Sequence, residues 1–243
     1  GGNYVEMVLI PERDRNTLCV SSQVGCALKC DFCSTGKQGF KANLNTAEIV
    51  GQLILANRHL SREGKRVSNI VFMGMGEPLL NFEAVSSAIN LFQDDCAFGL
   101  SKRKVTLSTA GLVPGIMRMK ETLDCSLAIS LHAPTDALRN VLVPVNRKYP
   151  IKDLLAAAGE YIESKQSLRK LIIEYTLIEG VNDSPQDAAQ LADLLKSVKC
   201  KINLIPFNTF GGSDYKSPKD QSVKAFQRRL VSAGHRVMIR STR

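Results

Sequence analysis

Cys26, Cys30 and Cys33 stand in the run Gly25-Cys26-Ala-Leu-Lys-Cys30-Asp-Phe32-Cys33, a C-x3-C-x2-C spacing that follows the apolar segment Thr17-Leu-Cys-Val-Ser-Ser22. Three thiolates this close on one loop point to a metal or cluster site. A structural zinc site closes its coordination sphere with four ligands. Iron–sulfur clusters are held by short cysteine runs of this kind, and a cubane held by three thiolates leaves one iron open to a small molecule. The zinc alternative needs a fourth ligand. Cys19 is the nearest thiol but lies in a strand, and His59 and His132 are more remote. A disulfide framework fits poorly with seven cysteines, 44% hydrophobic residues and no signal-peptide pattern. The thiols read as those of a reduced, cytoplasmic protein.

Those residues must be positioned by the rest of the 243-residue chain, which is long enough for one α/β barrel. No apolar run reaches the length of a membrane span, so no membrane association is expected. The 32 Lys and Arg exceed the 23 Asp and Glu, giving +9, and nucleic acid is the first acidic partner to consider. The basic groups at Arg58–Arg66, Lys102–Lys104, Arg147-Lys148 and Arg228-Arg229 are dispersed, as solvated surfaces also are.

Strand and helix patterns alternate. Val5–Pro11 and Thr17–Ser22 read as a hairpin, followed by strands at Asn69–Met73, Lys104–Ser108, Cys125–Leu131, Leu171–Ile178, Lys201–Ile205 and Val237–Arg240. Helices are expected at Thr46–Leu60, Phe82–Phe92, Val113–Glu121, Ile151–Ser164, Ser184–Lys196 and Lys219–Ser232. This order predicts a parallel sheet with crossover helices. It has too many units for the shortest doubly wound folds and too few for eight, so a partial (β/α)6 open barrel of the TIM-like kind is expected. The hairpin extension occupies residues 1–16 and the barrel core residues 17–243. Phe210–Pro218 reads as a surface loop, and Cys96, Cys125 and Cys200 as packing residues.

Active sites of parallel barrels lie at the carboxyl ends of the strands. There the sequence offers the cysteine loop, Met73-Gly-Met-Gly76-Glu77-Pro78, Ser108 with Thr109, Ser130 with His132, and Asn208. Glycines allow close backbone approach to a ligand, and Glu77 offers an acceptor to an amine or a ribose hydroxyl.

This pattern resembles the radical S-adenosylmethionine (SAM) superfamily. Thr17–Gln23, Cys33-Ser-Thr-Gly36, Phe72–Leu79, Leu107–Gly111, Ser130-Leu-His-Ala-Pro134 and Ile202–Asn208 are similar to the RlmN family, which methylates C2 of adenine in 23S rRNA and in tRNA. The likeness runs from Val5 to Arg243. The sister Cfr group methylates C8 instead, and a zinc-stabilised RNA-binding module without catalysis is the alternative of another class.

The resemblance implies that Cys26, Cys30 and Cys33 bind a [4Fe–4S] cluster, and that Gly76, Glu77, Ser108, Ser130, Leu131, His132 and Asn208 contact SAM. Two SAM are consumed per turnover. One methylates a cysteine, and the other yields the 5′-deoxyadenosyl radical that takes hydrogen from that methyl group. The carbon radical then adds to the base, which direct transfer from the sulfonium cannot methylate because C2 is electrophilic. Cys19 corresponds to the second cysteine, which assists proton removal and forms a disulfide that releases the product. Glu6 corresponds to a glutamate assigned as proton acceptor. A flavodoxin or ferredoxin system would supply the electron, and a monomer is expected. The family's methyl-carrying cysteine falls beyond Ser241-Thr-Arg243, and its small N-terminal domain before Gly1. The 243-residue chain is therefore expected to bind cluster and SAM without completing methyl transfer.

Overall fold

Apolar runs bounded by turn residues become strands at nearly every expected place. The structure, a computed structural model, describes residues 2–165 and 169–240; Gly1 and Ser241-Thr-Arg243 lie outside the described residues. In chain order the elements are β1 (Val8–Glu12), β2 (Arg15–Cys19), β3 (Gln23–Val24), α1 (Ser34–Lys37), β4 (Ala42–Asn43) and α2 (Thr46–Leu60). Then come β5 (Asn69–Phe72), α3 (Phe82–Gln93), β6 (Val105–Thr109), α4 (Val113–Thr122), β7 (Ser126–Ser130) and α5 (Asp136–Leu142). The last are α6 (Ile151–Ser164), β8 (Leu171–Leu177), α7 (Pro185–Leu194), β9 (Cys200–Pro206), α8 (Asp220–Ser232) and β10 (Val237–Ile239).

The chain divides into two compact units: residues 1–29, 35–109 and 114–127, and residues 30–34, 110–113 and 128–243. In the first, the hairpin β1–β2 places Glu12 opposite Arg15. β2 then pairs parallel with β5, and β5 with β6. α2 presents Ile49, Gln52, Leu53, Ala56 and Leu60 to the interior at helical spacing. Its start is fixed by Asn45, whose side chain accepts from the Glu48 amide while the Glu48 carboxylate accepts from the Asn45 amide. The short hairpin β3–β4 flanks the cysteine loop.

In the second unit, β7, β8, β9 and β10 pair in parallel succession. Ile172 is the sole β8 residue that is not buried, as befits a parallel strand covered on both faces. Tyr175 packs its ring 5.4 Å from that of Phe226 on α8 and donates its hydroxyl to the Asn182 carbonyl at 3.0 Å. Ser184 starts α7 with a second reciprocal cap, its hydroxyl accepting from the Asp187 amide and its own amide donating to the Asp187 carboxylate.

Several expectations need correction. The first strand starts at Val8, so Glu6 precedes it instead of sitting in it. β2 stops at Cys19 because Ser21 and Ser22 turn their polar groups to Gln52 and Met75. Cys96 is exposed in the turn after α3, its amide donating to the Asp94 carboxylate at 2.8 Å, and packs nothing. Cys125 and Cys200 are buried as expected. Among the described residues no helix is long and apolar enough to cross a membrane.

Asn45→Ala removes one reciprocal cap and is expected to lower stability by about 1 kcal/mol, read as a lower urea midpoint at unchanged slope.

Candidate functional site

In the first unit, the turn after β5 is built onto the segment after β2. Met75 O accepts from the amides of Ser22 at 2.9 Å and Gln23 at 3.2 Å, while Met75 N–H donates to Ser21 Oγ at 2.9 Å. Gln52, buried on α2, acts as a two-point bracket: its Oε1 accepts from Ser21 N–H and its Nε2 donates to Ser21 O, both at 2.9 Å. Gly76 sits at φ +98°, and a Cβ there would lie 2.5 Å from Gln23 Cβ. Gln23 Oε1 in turn accepts from the Glu77 amide at 2.8 Å. Glu77 is buried, and its Oε1 caps the following 3-10 turn by accepting from Leu79 N–H at 3.1 Å. The Gly-Glu turn is therefore a rigid shelf with a buried carboxylate.

The same unit holds Cys19 and Glu6 near this shelf. Cys19 ends β2, and burial pushes its thiol up to about 11, against a lowering hydrogen bond from the Met73 backbone. It is a neutral thiol at physiological pH. Glu6 is exposed, but its backbone is fastened: Ser21 Oγ donates to its carbonyl and its amide reaches Met75 Sδ at 3.4 Å. Ser108 is buried near the end of β6. Beside Cys26, Gly25 adopts φ +75°, and a Cβ there would fall 1.7 Å from Gly39 O, which accepts the Cys26 amide at 3.1 Å. No other residue type fits that position.

In the second unit, Cys30 and Cys33 bracket a turn closed by the Cys33 amide on Cys30 O at 3.1 Å. The Asp31 amide donates to Leu142 O at 3.0 Å, and its carboxylate accepts the Tyr215 hydroxyl. The Phe32 ring meets His132 edge-on, centroids 4.7 Å apart. His132 follows β7 at φ +59°, a strained value for a residue with a side chain. Three bonds hold it there. Its amide donates to Glu174 O at 3.4 Å, its carbonyl accepts Asn182 Nδ2 at 2.8 Å, and its Nδ1 accepts Thr176 N–H at 2.9 Å. Since Nδ1 accepts, the neutral ring carries its proton on Nε2. Burial and then the charge of Arg139 push its pKa down to about 3.

Arg139 gave no signal in the sequence. It is fully buried on α5 and donates to Leu131 O at 3.0 Å, Ser130 O at 3.1 Å, Ala110 O at 2.6 Å and Asn146 Oδ1 at 2.8 Å. Burial lowers its pKa to about 10, opposed by Cys30 and then Asp136, so Cys30 lies within electrostatic reach of the guanidinium. The Ser130-Leu131-His132 corner is thus pinned from beneath. Asn208 lies exposed beyond β9. A hollow of about 470 Å³ in this unit is lined by Pro134, Thr135, Lys152 and Val198 among others, and none of the expected site residues borders it.

Among the described residues no cysteine is disulfide-bonded, and no three Cys, His, Asp or Glu side chains gather closely enough for one metal ion. His132 has its Nδ1 lone pair engaged and a proton on Nε2, His59 is exposed on α2, and Cys19 is held protonated. Of the candidate fourth ligands for a zinc ion, His132 already spends its Nδ1 lone pair on the Thr176 amide. By donor chemistry alone, three cysteine thiols suit a cubane cluster, in which each thiolate binds a different iron. All three thiols are half-buried, reachable yet shielded.

A parallel α/β fold with three cysteines in its first crossover loop is the architecture of the radical SAM superfamily, whose profile matches residues 20–192. Dual-specificity RNA methyltransferase RlmN of Vesicomyosocius okutanii is 56% identical, over 99% of this chain and 68% of its own length. That of Marinobacter nauticus is also 56% identical, over 100% of this chain and 66% of its own length. A radical SAM methyltransferase from Sphaerobacter thermophilus superposes with a TM-score of 0.96 at 42% identity, covering 100% of this chain and 71% of that one. Within the superfamily, the chain belongs to the RlmN family of RNA methyltransferases and shares its α/β partial-barrel fold. It spans about two thirds of the length of the relatives named here.

Two outcomes are expected. Gly25→Ala should cost at least about 2 kcal/mol in unfolding free energy, since strained backbone and a backbone clash combine there. For His132, the folded pKa near 3 lies below the unfolded value of about 6.5. Its contribution is therefore complete above the unfolded value and is lost as pH falls toward 3. Over that window the stability of His132→Asn should fall less steeply than that of the parent, by about 1.4 kcal/mol per pH unit, read from urea midpoints at successive pH values.

Proposed function

We propose that the chain carries the catalytic core of an RNA methyltransferase that methylates C2 of adenine in 23S rRNA and tRNA. The observation behind this reading is the identity of 52–56%, over nearly the whole chain, to relatives named dual-specificity RNA methyltransferase RlmN. The same relatives favour C2 over C8 as the target carbon. In this reading residues 1–16 lead into a core at 17–243, and the protein acts as a cytoplasmic monomer supplied with electrons by a flavodoxin or ferredoxin system.

Cys26, Cys30 and Cys33 would hold the [4Fe–4S] cluster, and Gly76, Glu77, Ser108, Ser130, Leu131, His132 and Asn208 would contact SAM. Cluster and SAM together supply one-electron cleavage chemistry and the methyl group, with two SAM consumed per turnover. The protein's part is positioning and proton control. The shelf at Gly76 leaves backbone open to a ligand while Glu77, already buried, presents an acceptor for an ammonium or hydroxyl. The strained corner at His132 offers Nε2–H as a donor and stays neutral throughout the physiological range. Cys19 keeps its proton until a reaction step removes it, which suits a thiol that forms a bond late in the cycle. Glu6 would accept a proton as an exposed carboxylate.

Anaerobic reconstitution with iron and sulfide, reduction, and electron paramagnetic resonance with and without SAM test this. A [4Fe–4S]⁺ signal altered by SAM is expected. A protein that takes up zinc but forms no cluster refutes it. Mass spectrometry against synthetic C2- and C8-methyladenosine separates the two target carbons.

A further inference from the structure

Parallel pairing puts Ser130, Glu174 and Asn203 side by side at one level of the second unit's sheet, on three successive strands. Residues directly opposite in a parallel ladder share a face. The opposite face of β8 carries Tyr175, whose ring packs on α8. The Ser130 side of the sheet therefore bears a polar row where an apolar one would be expected. Glu174 and Asn203 are 6% and 4% exposed. Asn203 Nδ2 donates to Glu174 Oε1 at 2.6 Å, while Asn203 Oδ1 has no hydrogen-bond partner among the described residues. With Glu174 ionised, Nδ2 is the end of the amide that faces it, which leaves Oδ1 turned away.

A buried carbonyl oxygen without a donor costs free energy that folding alone does not recover. The cost is tolerated where a ligand supplies the donor. The level is also right: Ser130 leads directly into Leu131 and His132, and the amides of both donate to the Glu174 carbonyl. Burial raises the Glu174 carboxyl above the ordinary range, opposed by Asn203 and then Arg240.

We propose that Asn203, oriented by Glu174, is a further binding residue that accepts an N–H or O–H from the adenosine moiety of the ligand held beside Ser130. This rests on the function proposed above, which puts two adenosines within reach of the reaction, that of SAM and that of the RNA. Either can supply the donor.

The test is equilibrium binding to the anaerobically reconstituted full chain, with SAM and with an RNA hairpin carrying one unpaired adenosine as separate probes. Asn203→Leu keeps the volume and removes the acceptor. It should weaken one of the two probes about tenfold, the size of one lost hydrogen bond to a buried group, and leave the other unchanged. Loss confined to SAM assigns the cofactor's adenosine, and loss confined to the hairpin assigns the substrate's. Glu174→Gln keeps a carbonyl for Asn203 Nδ2 and should bind both probes within about twofold of the parent. Should Asn203→Leu fail to fold by circular dichroism, Asn203→Ala reads the same acceptor. Unchanged affinity for both probes in a folded Asn203 variant overturns this proposal alone. A parent protein that binds neither probe overturns the functional reading itself.

Discussion

One buried guanidinium organises the second unit. Among the described residues no carboxylate forms an ion pair with Arg139, yet it is fully inside and its pKa stays near 10. Carbonyl dipoles do the solvating: Ser130, Leu131 and Ala110 turn their oxygens to it, and Asn146 adds a fourth. Removing any one leaves a buried charge under-solvated, so the arrangement is all or nothing. Those carbonyls belong to the end of β7 and to the segment after β6, and the charge thus fixes backbone that the sequence would otherwise leave as loop. Asn146 is held in turn by Asp136 and Asn140, and Asp136 also accepts the Ile151 amide that begins α6.

The first unit reaches a similar end by neutral means. Gln52 brackets Ser21, Gln23 receives the Glu77 amide, and Asn81 donates to both Ser22 O at 2.9 Å and Leu44 O at 2.7 Å. Three buried amides replace the sheet bonds that the chain gives up when β2 ends at Cys19. They let the Gly76 turn approach Gln23 so closely that a methyl group would not fit. Shelf and corner share one logic: irregular backbone, needed to face a ligand, is made rigid by buried polar side chains rather than by regular pairing.

This explains what the sequence disclosed. Parallel strands are apolar on both faces, so β5, β8 and β9 stood out as short runs. α2 and α6 follow helical spacing, and their observed bounds match that spacing to the residue. The cysteine loop and the Gly-Glu turn carry recognisable spacing. α5 escaped because Asp136-Ala-Leu-Arg-Asn-Val-Leu142 buries a charge and leaves Val141 exposed, which inverts the usual pattern. β3 and β4 are two residues each, too short for any period. Gln52, Arg139, Glu174 and Asn203 could not be told from surface residues by type alone. Their burial depends on partners 30 or so positions away, as Gln52 with Ser21 and Asn203 with Glu174 show.

The titratable groups follow from the same burial. Cys19 is pushed up to about 11, His132 down to about 3, and Glu174 above the ordinary carboxylate range, each mainly by desolvation. All three shifts favour the uncharged form. Desolvation raises acids and lowers bases, so burial rather than specific counter-charges accounts for the common direction. Arg139 is the exception, and it is ringed by carbonyl oxygens. A cluster and its ligand bound here would bring charges that rank among the largest local fields. In the proposed one-electron chemistry on a sulfonium, the driving force would lie with the cofactor, and the protein would supply rigid placement.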